Sequence, residues 1–186
     1  MALESARLGG LEVPSESFAA ARRYLRASYD SELGGYRYSQ DPERLASGFP
    51  TLPASTPAAL FSLSLLGADL AAEEFADALD FALERASRRY RRPSDEAFVA
   101  EAAGNDCFWY YGTLALFRRG GPWERWNGRI QATLLPAQDR DGSRRPISPY
   151  AACARDDEGE RSYTTAMAVL TLEIYYRYFT PLLRLD

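Results

Sequence analysis

Residues 107–117 read CFWYYGTLALF, and this run decides the fold class. Apart from one glycine and one threonine, its side chains are apolar or aromatic. Wound into a helix, they point in all directions, and a helix that is apolar all round must be covered on every side. The run is also shorter than the roughly 20 residues that cross a bilayer. It therefore predicts an inner helix of a helical domain.

Two other runs share this character and recur at similar intervals. Residues 56–66 read TPAALFSLSLL, and residues 164–174 read TTAMAVLTLEI. The starts of the three runs lie 51 and then 57 residues apart. Recurrence at such an interval is typical of arrays in which one supersecondary unit is stacked on the next. We predict three inner helices.

The segments between these runs are apolar on one side only. Phe75, Leu79 and Leu83 fall at helical spacing, and acidic and basic residues occupy the rest of the helix. Residues 18–26 and 123–134 repeat the pattern. These segments predict amphipathic outer helices that alternate with the inner ones. Since no alternating apolar and polar run indicates a strand, the predicted fold class is all-α.

Helix boundaries and loops follow from local residue types. Side chains that can cap a helix precede each inner run: Ser55, Asn105 or Asp106, and Ser162. Each is a predicted N-cap. The two longest connections, residues 29–54 and 137–161, are rich in Gly, Pro, Ser and charged residues. We expect loops there, and loops of that length are often functional.

The residue types that are missing exclude several kinds of chemistry. The chain has no histidine, and all of its 22 basic residues are arginine. A histidine general base, a histidine-ligated zinc site and a lysine Schiff base are therefore excluded. The two cysteines, Cys107 and Cys153, are too few for a disulfide framework or an ordinary zinc site. We expect no cofactor and no bound metal.

Charge and hydropathy limit the partners. The formal net charge of −4 and the lack of a basic run give no reason to expect nucleic acid. No apolar run is long enough to cross a membrane. The N-terminus shows no signal-peptide pattern, so the default expectation is the cytoplasm.

Several motifs resemble a known repeat. Gly34-Gly35-Tyr36 follows Tyr24-Leu25, and Asp141-Gly142-Ser143 follows a segment that ends in Gln138. The phrase Trp109-Tyr110-Tyr111-Gly112-Thr113 is followed by Gly120-Gly121. Together with the inner runs, these motifs resemble the prenyltransferase and squalene-oxidase repeat of terpenoid cyclases and protein prenyltransferases. The phrase that begins at Trp109 is similar to sequences of bacterial proteins in that superfamily.

The resemblance implies an α/α-toroid built from helical hairpins. It covers nearly all of residues 1–186, which we treat as one domain. About three inner and three to four outer helices are roughly half of a closed toroid of that superfamily. We therefore expect a partial toroid, either the C-terminal part of a longer one or a half that pairs with a second copy of the chain.

The catalytic motifs of the resembled enzymes are absent. The chain contains no Asp-x-Asp-Asp string, and it lacks the histidine of the prenyltransferase zinc set. Our preferred interpretation is a non-catalytic module that binds a protein partner or a small apolar or anionic ligand. One alternative is a terpenoid cyclase in which Asp106 or Asp157 supplies the proton. Another is a carbohydrate-active toroid that pairs Asp106 with Asp156 or Asp157.

The candidate ligand site is the rim where the inner helices of a toroid begin. The predicted rim residues are Asn105, Asp106, Tyr163, Arg155 and Arg161. Free N–H groups and helix dipoles at such a rim favour an anionic group, although ordinary capping explains the same residues. The candidate aromatic lining is Trp109, Tyr110 and Tyr111. Rings there could hold a cation, but core packing is the simpler interpretation.

Overall fold

The structure is a computed structural model that describes residues 1–46, 52–86, 89–148 and 158–174. A two-stranded antiparallel ribbon pairs β1 (Tyr29–Asp30) with β2 (Gly35–Tyr36). The α-helices are α1 (Ala2–Leu8), α2 (Ser15–Ala27), α3 (Pro42–Ala46), α4 (Ser55–Leu65), α5 (Ala76–Glu84), α6 (Asp95–Glu101), α7 (Asp106–Arg119), α8 (Trp123–Leu134) and α9 (Glu158–Leu172). Short 3-10 helices span Glu73–Phe75 and Leu135–Ala137. The predicted all-α class is confirmed.

The three predicted inner helices lie side by side. Helix α7 packs against α4 on one side and against α9 on the other. The amphipathic helices pack behind them, with α2 and α5 on α4 and α8 on α7. Helices α5 and α8 bury their apolar faces because only those faces can lose water without burying charge, whereas α2 has no fully buried residue. The predicted alternation of outer and inner helices therefore describes the observed order.

The core is densest around α7. Phe108, Trp109 and Leu116 are almost completely buried, and Trp126 of α8 packs across the same helix. The Trp126 ring passes directly over Gly112, where a Cβ atom would lie 2.3 Å from the ring carbons. Position 112 therefore accepts only a glycine if α7 and α8 are to pack this closely.

The ribbon lies inside a segment that the sequence predicts to be a loop. Its second strand packs against α4, and a Cβ atom on Gly35 would lie 2.6 Å from Thr56 Oγ1. Buried Tyr36 donates its backbone N–H to the same Thr56 Oγ1 at 2.9 Å. This hydrogen bond fixes the ribbon to the first turn of an inner helix.

The same contact occurs a second time, at the other end of the described array. Buried Arg144 donates its backbone N–H to Thr165 Oγ1 of α9, also at 2.9 Å. Gly142, with a positive φ of 88°, precedes Arg144 by two residues, just as Gly34 with a φ of 65° precedes Tyr36. The repeat in the sequence is thus also a repeat of backbone geometry, with an arginine where the first copy has a tyrosine.

Two short helices were not predicted, namely α3 and α6. Helix α6 begins with a cap, because Ser94 Oγ accepts a hydrogen bond from the Ala97 N–H at 3.2 Å. It ends at Glu101 and is followed by Ala102, which has a left-handed φ of 54°. Apart from Phe98 its surface is largely exposed, so it has too little apolar periodicity to stand out in the sequence.

The predicted start of α9 is wrong by about a turn and a half. The helix begins at Glu158, and Ser162 lies inside it, where its hydroxyl donates to the Glu158 carbonyl at 2.8 Å. Acidic residues in the first turn complement the helix dipole. In contrast to α4 and α7, the described part of α9 buries one face, with Thr164, Ala168 and Thr171, and leaves Val169 47% exposed.

The predicted caps of the other inner helices had different outcomes. Asn105 is an N-cap, since its Oδ1 accepts from the Phe108 N–H at 2.9 Å. Ser55 is not, because α4 already includes it and no side chain caps that end. Within the described residues, no helix is both long enough and apolar enough to span a membrane.

Candidate functional site

A cavity of about 360 Å³ opens where the inner helices come together. The first turns of α4 and α7 form two sides, α6 and the second turn of α9 contribute single residues, and the segments around residues 38, 52 and 148 complete the wall. The residues that line it are Tyr38, Leu52, Ala54, Ser55, Ala58, Phe98, Gly104, Asn105, Asp106, Cys107, Tyr111, Ser148 and Tyr163. We call this the rim cavity.

Asp106 is the central polar group of the rim cavity. It is the first residue of α7, and only 8% of its surface is exposed. Its Oδ1 atom is sealed from solvent and has no hydrogen-bond partner. A buried carboxyl without donors around it resists ionisation. Burial accordingly raises the pKa of Asp106 to about 7, although the positive charge of Arg144 opposes the shift.

Arg144 and Tyr90 are the ionisable groups that interact with Asp106 from behind the cavity. Arg144 is 2% exposed, and its guanidinium donates to the Leu134 carbonyl at 3.4 Å. Burial lowers the pKa of Arg144, and the charges of Tyr90 and Asp106 partly restore it. The guanidinium therefore acts on the Asp106 carboxyl through its electrostatic field.

Aromatic rings make up much of the remaining wall. Tyr38 and Tyr163 are 52% and 42% exposed. Tyr111 is half-buried, and Phe98 closes the cavity from α6. The Tyr163 hydroxyl lies 3.6 Å from Cys107 Sγ and so links α9 to α7 beside the cavity. An apolar or cationic group inside the cavity would lie beside several aromatic side chains.

The structure brings together four of the predicted rim and lining residues, namely Asn105, Asp106, Tyr111 and Tyr163. Asn105 uses its side-chain oxygen to cap α7. The capping interpretation therefore explains Asn105, whereas the carboxyl of Asp106 is not used as a cap.

The other predicted ligand residues lie elsewhere. Trp109 is a core residue, 1% exposed, whose ring centre is 6.0 Å from that of Tyr90. Tyr110 packs edge-on against Tyr111 beside the core. Arg161 does not line the cavity, and its guanidinium donates to Asp139 at 3.1 Å. Arg155, Asp156 and Asp157 lie outside the described residues.

Sequence reasoning did not place Tyr38 or Phe98 at the site, whereas it did place Ser55 near the rim, and Ser55 lines the cavity. Tyr38 follows a ribbon that was predicted to be a loop, and Phe98 belongs to the unpredicted helix α6. The signal for α6 was present as Ser94 followed by two acidic residues, which is a common helix start. Ser55 was assigned to capping, whereas its Oγ is buried and has no hydrogen-bond partner.

Metal binding has no support in the described part of the chain, which contains no cluster of three or more carboxylate or cysteine side chains that could hold an ion. Comparison with models of protein families, with characterised proteins and with solved structures finds no match to this chain. The geometry of the rim cavity is therefore the basis for the proposals that follow.

Proposed function

We propose that the chain is a non-catalytic binding module of the α/α-toroid kind, and that its rim cavity holds a small, largely apolar molecule. The observation that carries this proposal is the buried carboxyl of Asp106, whose Oδ1 has no hydrogen-bond partner, in the wall of a mostly apolar cavity. Concave apolar sites with a few convergent polar groups are the usual form of small-molecule sites. A buried polar group without a partner costs free energy, and a ligand that interacts favourably with the Asp106 carboxyl would offset that cost.

The toroid part of the proposal is supported by the repeated contact between a loop and an inner helix. The pair Tyr36–Thr56 and the pair Arg144–Thr165 make the same backbone-to-hydroxyl hydrogen bond. The inner helices α4, α7 and α9 also pack side by side, with the outer helices behind them. Such an arrangement is what an arc of an α/α-toroid would have.

The non-catalytic part rests on the residue inventory. The sequence contains no histidine, and Asp106 is the one carboxylate among the described residues that line the cavity. A glycosidase needs two facing carboxyls, and the described wall offers a single one. Binding through one carboxyl and several rings needs no further group.

Native mass spectrometry of the purified chain tests the proposal directly. We expect a small-molecule adduct on the protein as isolated, or a saturable adduct when small apolar compounds with one hydrogen-bond donor are added. The same spectra report whether the chain pairs with a second copy. Failure of every such compound to bind would contradict a ligand-binding role for the rim cavity.

A second candidate function, acid-initiated cyclisation of an isoprenoid, is favoured by one observation. A carboxyl with a pKa of about 7 is largely protonated in mildly acidic solution, as a general acid must be. Incubation with squalene and with linear isoprenoids tests this alternative. A cyclic isomer of unchanged mass, formed by the natural chain and not by Asp106→Asn, would replace the binding proposal.

A further inference from the structure

We infer that the ligand of the rim cavity carries an alkylated ammonium group, with Asp106 as its counter-charge and the rings of Tyr38, Tyr111 and Tyr163 around its alkyl substituents. This inference rests on the proposed binding function and specifies the chemical class of the ligand. It follows from the charge of the cavity wall, the position of the rings and the state of the carboxyl.

The charge of the wall favours a cation. Asp106 is the only strongly acidic or basic side chain among the described residues that line the cavity, and no arginine is among them. Arg161, which the sequence placed at the rim, is paired with Asp139 outside the cavity. An anionic ligand would thus meet the Asp106 carboxyl, while Arg144, the cation that acts on this carboxyl, is not among the described wall residues. The anionic group that the helix ends suggested is disfavoured for this reason.

The rings favour an alkylated cation over a bare amine. Aromatic faces attract cations through the ring quadrupole, and cages of such rings recognise quaternary ammonium groups. Tyr38 and Tyr163 keep about half of their surface exposed beside the cavity, while Tyr111 lies deeper. Alkyl groups on the nitrogen can contact these rings and the apolar wall, whereas a bare ammonium would exchange hydrogen-bonding water for a surface that is mostly apolar among the described residues.

The carboxyl is suited to act as a counter-charge. Asp106 begins α7, and the positive end of the helix dipole favours its ionised form. Burial opposes ionisation, and its Oδ1 atom has no hydrogen-bond partner. A cation in the cavity would favour the ionised form of the Asp106 carboxyl. The N-terminal ends of α4 and α7 repel a cation, so its binding should depend strongly on Asp106.

This coupling gives the site a pH signature. The ammonium group binds the ionised carboxyl, and burial raises the pKa of Asp106 to about 7 in the free protein. Apparent affinity is reduced by the fraction of protein that is not competent to bind. Affinity for the cation should therefore rise about tenfold between pH 6 and pH 8, and binding should release a proton at neutral pH. A neutral ligand of the same shape should show no such rise.

The ammonium assignment is tested with two probes, choline and its uncharged carbon isostere dimethylbutanol. Both are titrated into the purified chain at pH 6 and pH 8, and dissociation constants are read from backbone amide shifts. We expect choline to bind more tightly at pH 8 by about tenfold, and more tightly than dimethylbutanol at that pH. Calorimetry in two buffers of different ionisation enthalpy should detect the released proton.

Two variants assign the effect to the named groups. Asp106→Asn should remove both the preference for choline and its pH dependence, yet leave dimethylbutanol binding within about twofold. Tyr163→Leu changes an exposed ring and so keeps the fold. It should weaken the binding of choline several-fold and the binding of dimethylbutanol much less. Asp95→Asn, an exposed aspartate in the first turn of α6 outside the cavity, is the matched control and should change neither constant.

The outcomes separate this inference from the proposed function. Equal binding of the two probes, or choline binding that does not vary with pH, would overturn the ammonium assignment while the rim cavity remained a ligand site. Lack of saturable binding by both probes up to their solubility would overturn the assignment and count against the binding function as well.

Discussion

Thr56 Oγ1 accepts the backbone N–H of Tyr36 at 2.9 Å, inside a region where both residues are buried. This bond joins the ribbon to the first turn of α4, which is also one wall of the rim cavity. Its second copy, between Arg144 and Thr165, joins the opposite loop to α9. The two bonds position the loops relative to the inner helices on either side of α7.

Replacing Thr56 by valine should destabilise the fold. Valine keeps the shape but removes the acceptor, which leaves the buried N–H of Tyr36 unpaired at a cost of about 1–3 kcal/mol. Urea unfolding followed by circular dichroism measures the change. Thr56→Ser keeps the hydroxyl and should lose less stability than Thr56→Val, although it removes a buried methyl group. Equal stability of Thr56→Val and the natural chain would show that the hydrogen bond does not hold the ribbon in place.

Replacing Gly112 by alanine should destabilise the pairing of α7 with α8. The new Cβ atom would lie 2.3 Å from the Trp126 ring, whose indole N–H is already held by Thr113 Oγ1 at 3.0 Å. Overpacking of this kind costs about 1–3 kcal/mol, and the midpoint of urea unfolding should fall accordingly.

Gly128→Ala is the matched control for that substitution. Gly128 lies on the exposed face of α8, and a Cβ atom added there would meet no other atom within 4 Å. Alanine is favoured over glycine within a helix by about 0.5–1 kcal/mol, so this variant should be slightly more stable than the natural chain. If both alanine variants gained stability, the close contact with Trp126 would be refuted.

The pattern of apolar residues was sufficient to predict the helices that form the core. Inner helices α4 and α7 were predicted within about two residues at each end because their long apolar runs can be satisfied only by burial. Helix α6 and the ribbon were missed because they are short: α6 has seven residues and each strand has two. Local patterns carry little information about elements of this length.

The candidate site was predicted in part for a similar reason. Asn105 and Asp106 precede an inner helix, and that position alone indicated the rim. The sequence could not show which of the two would cap the helix, since either side chain can do so. Nor could it show that Trp109 would be core while Tyr111 would face the cavity, because neighbouring aromatics on a helix differ only by the direction in which they point.

Asp106 should make the stability of the protein depend on pH. Its pKa is about 7 in the folded chain, above the value of about 3.9 for an unfolded aspartate. Between these values the folded state binds more protons, so the free energy of unfolding should fall as pH rises from about 4 to 7 and change little from this group above that. A pKa difference of one unit corresponds to about 1.4 kcal/mol, so the total loss in the free energy of unfolding is on the order of 4 kcal/mol.

Asp106→Asn isolates that contribution. Urea unfolding at pH 5, 6, 7 and 8 should show a decline for the natural chain that is absent, or much smaller, in the variant. The variant should gain stability relative to the natural chain as pH rises, because it has no charge to bury. Parallel curves for the two proteins would mean that Asp106 is not held in a buried, unpartnered state.

The measurement that tests the central claim most directly is a map of backbone amide shifts on addition of p-cresol, a small ring with one hydroxyl donor. If the rim cavity is a ligand site, saturable shifts should cluster at Phe98, Gly104, Asn105 and Cys107. They should vanish in Ala58→Phe, which fills the cavity from α4, and persist in Ala132→Phe on the exposed face of α8. Shifts that do not saturate, or that map instead to the groove between α1, α2 and α4, would contradict the claim.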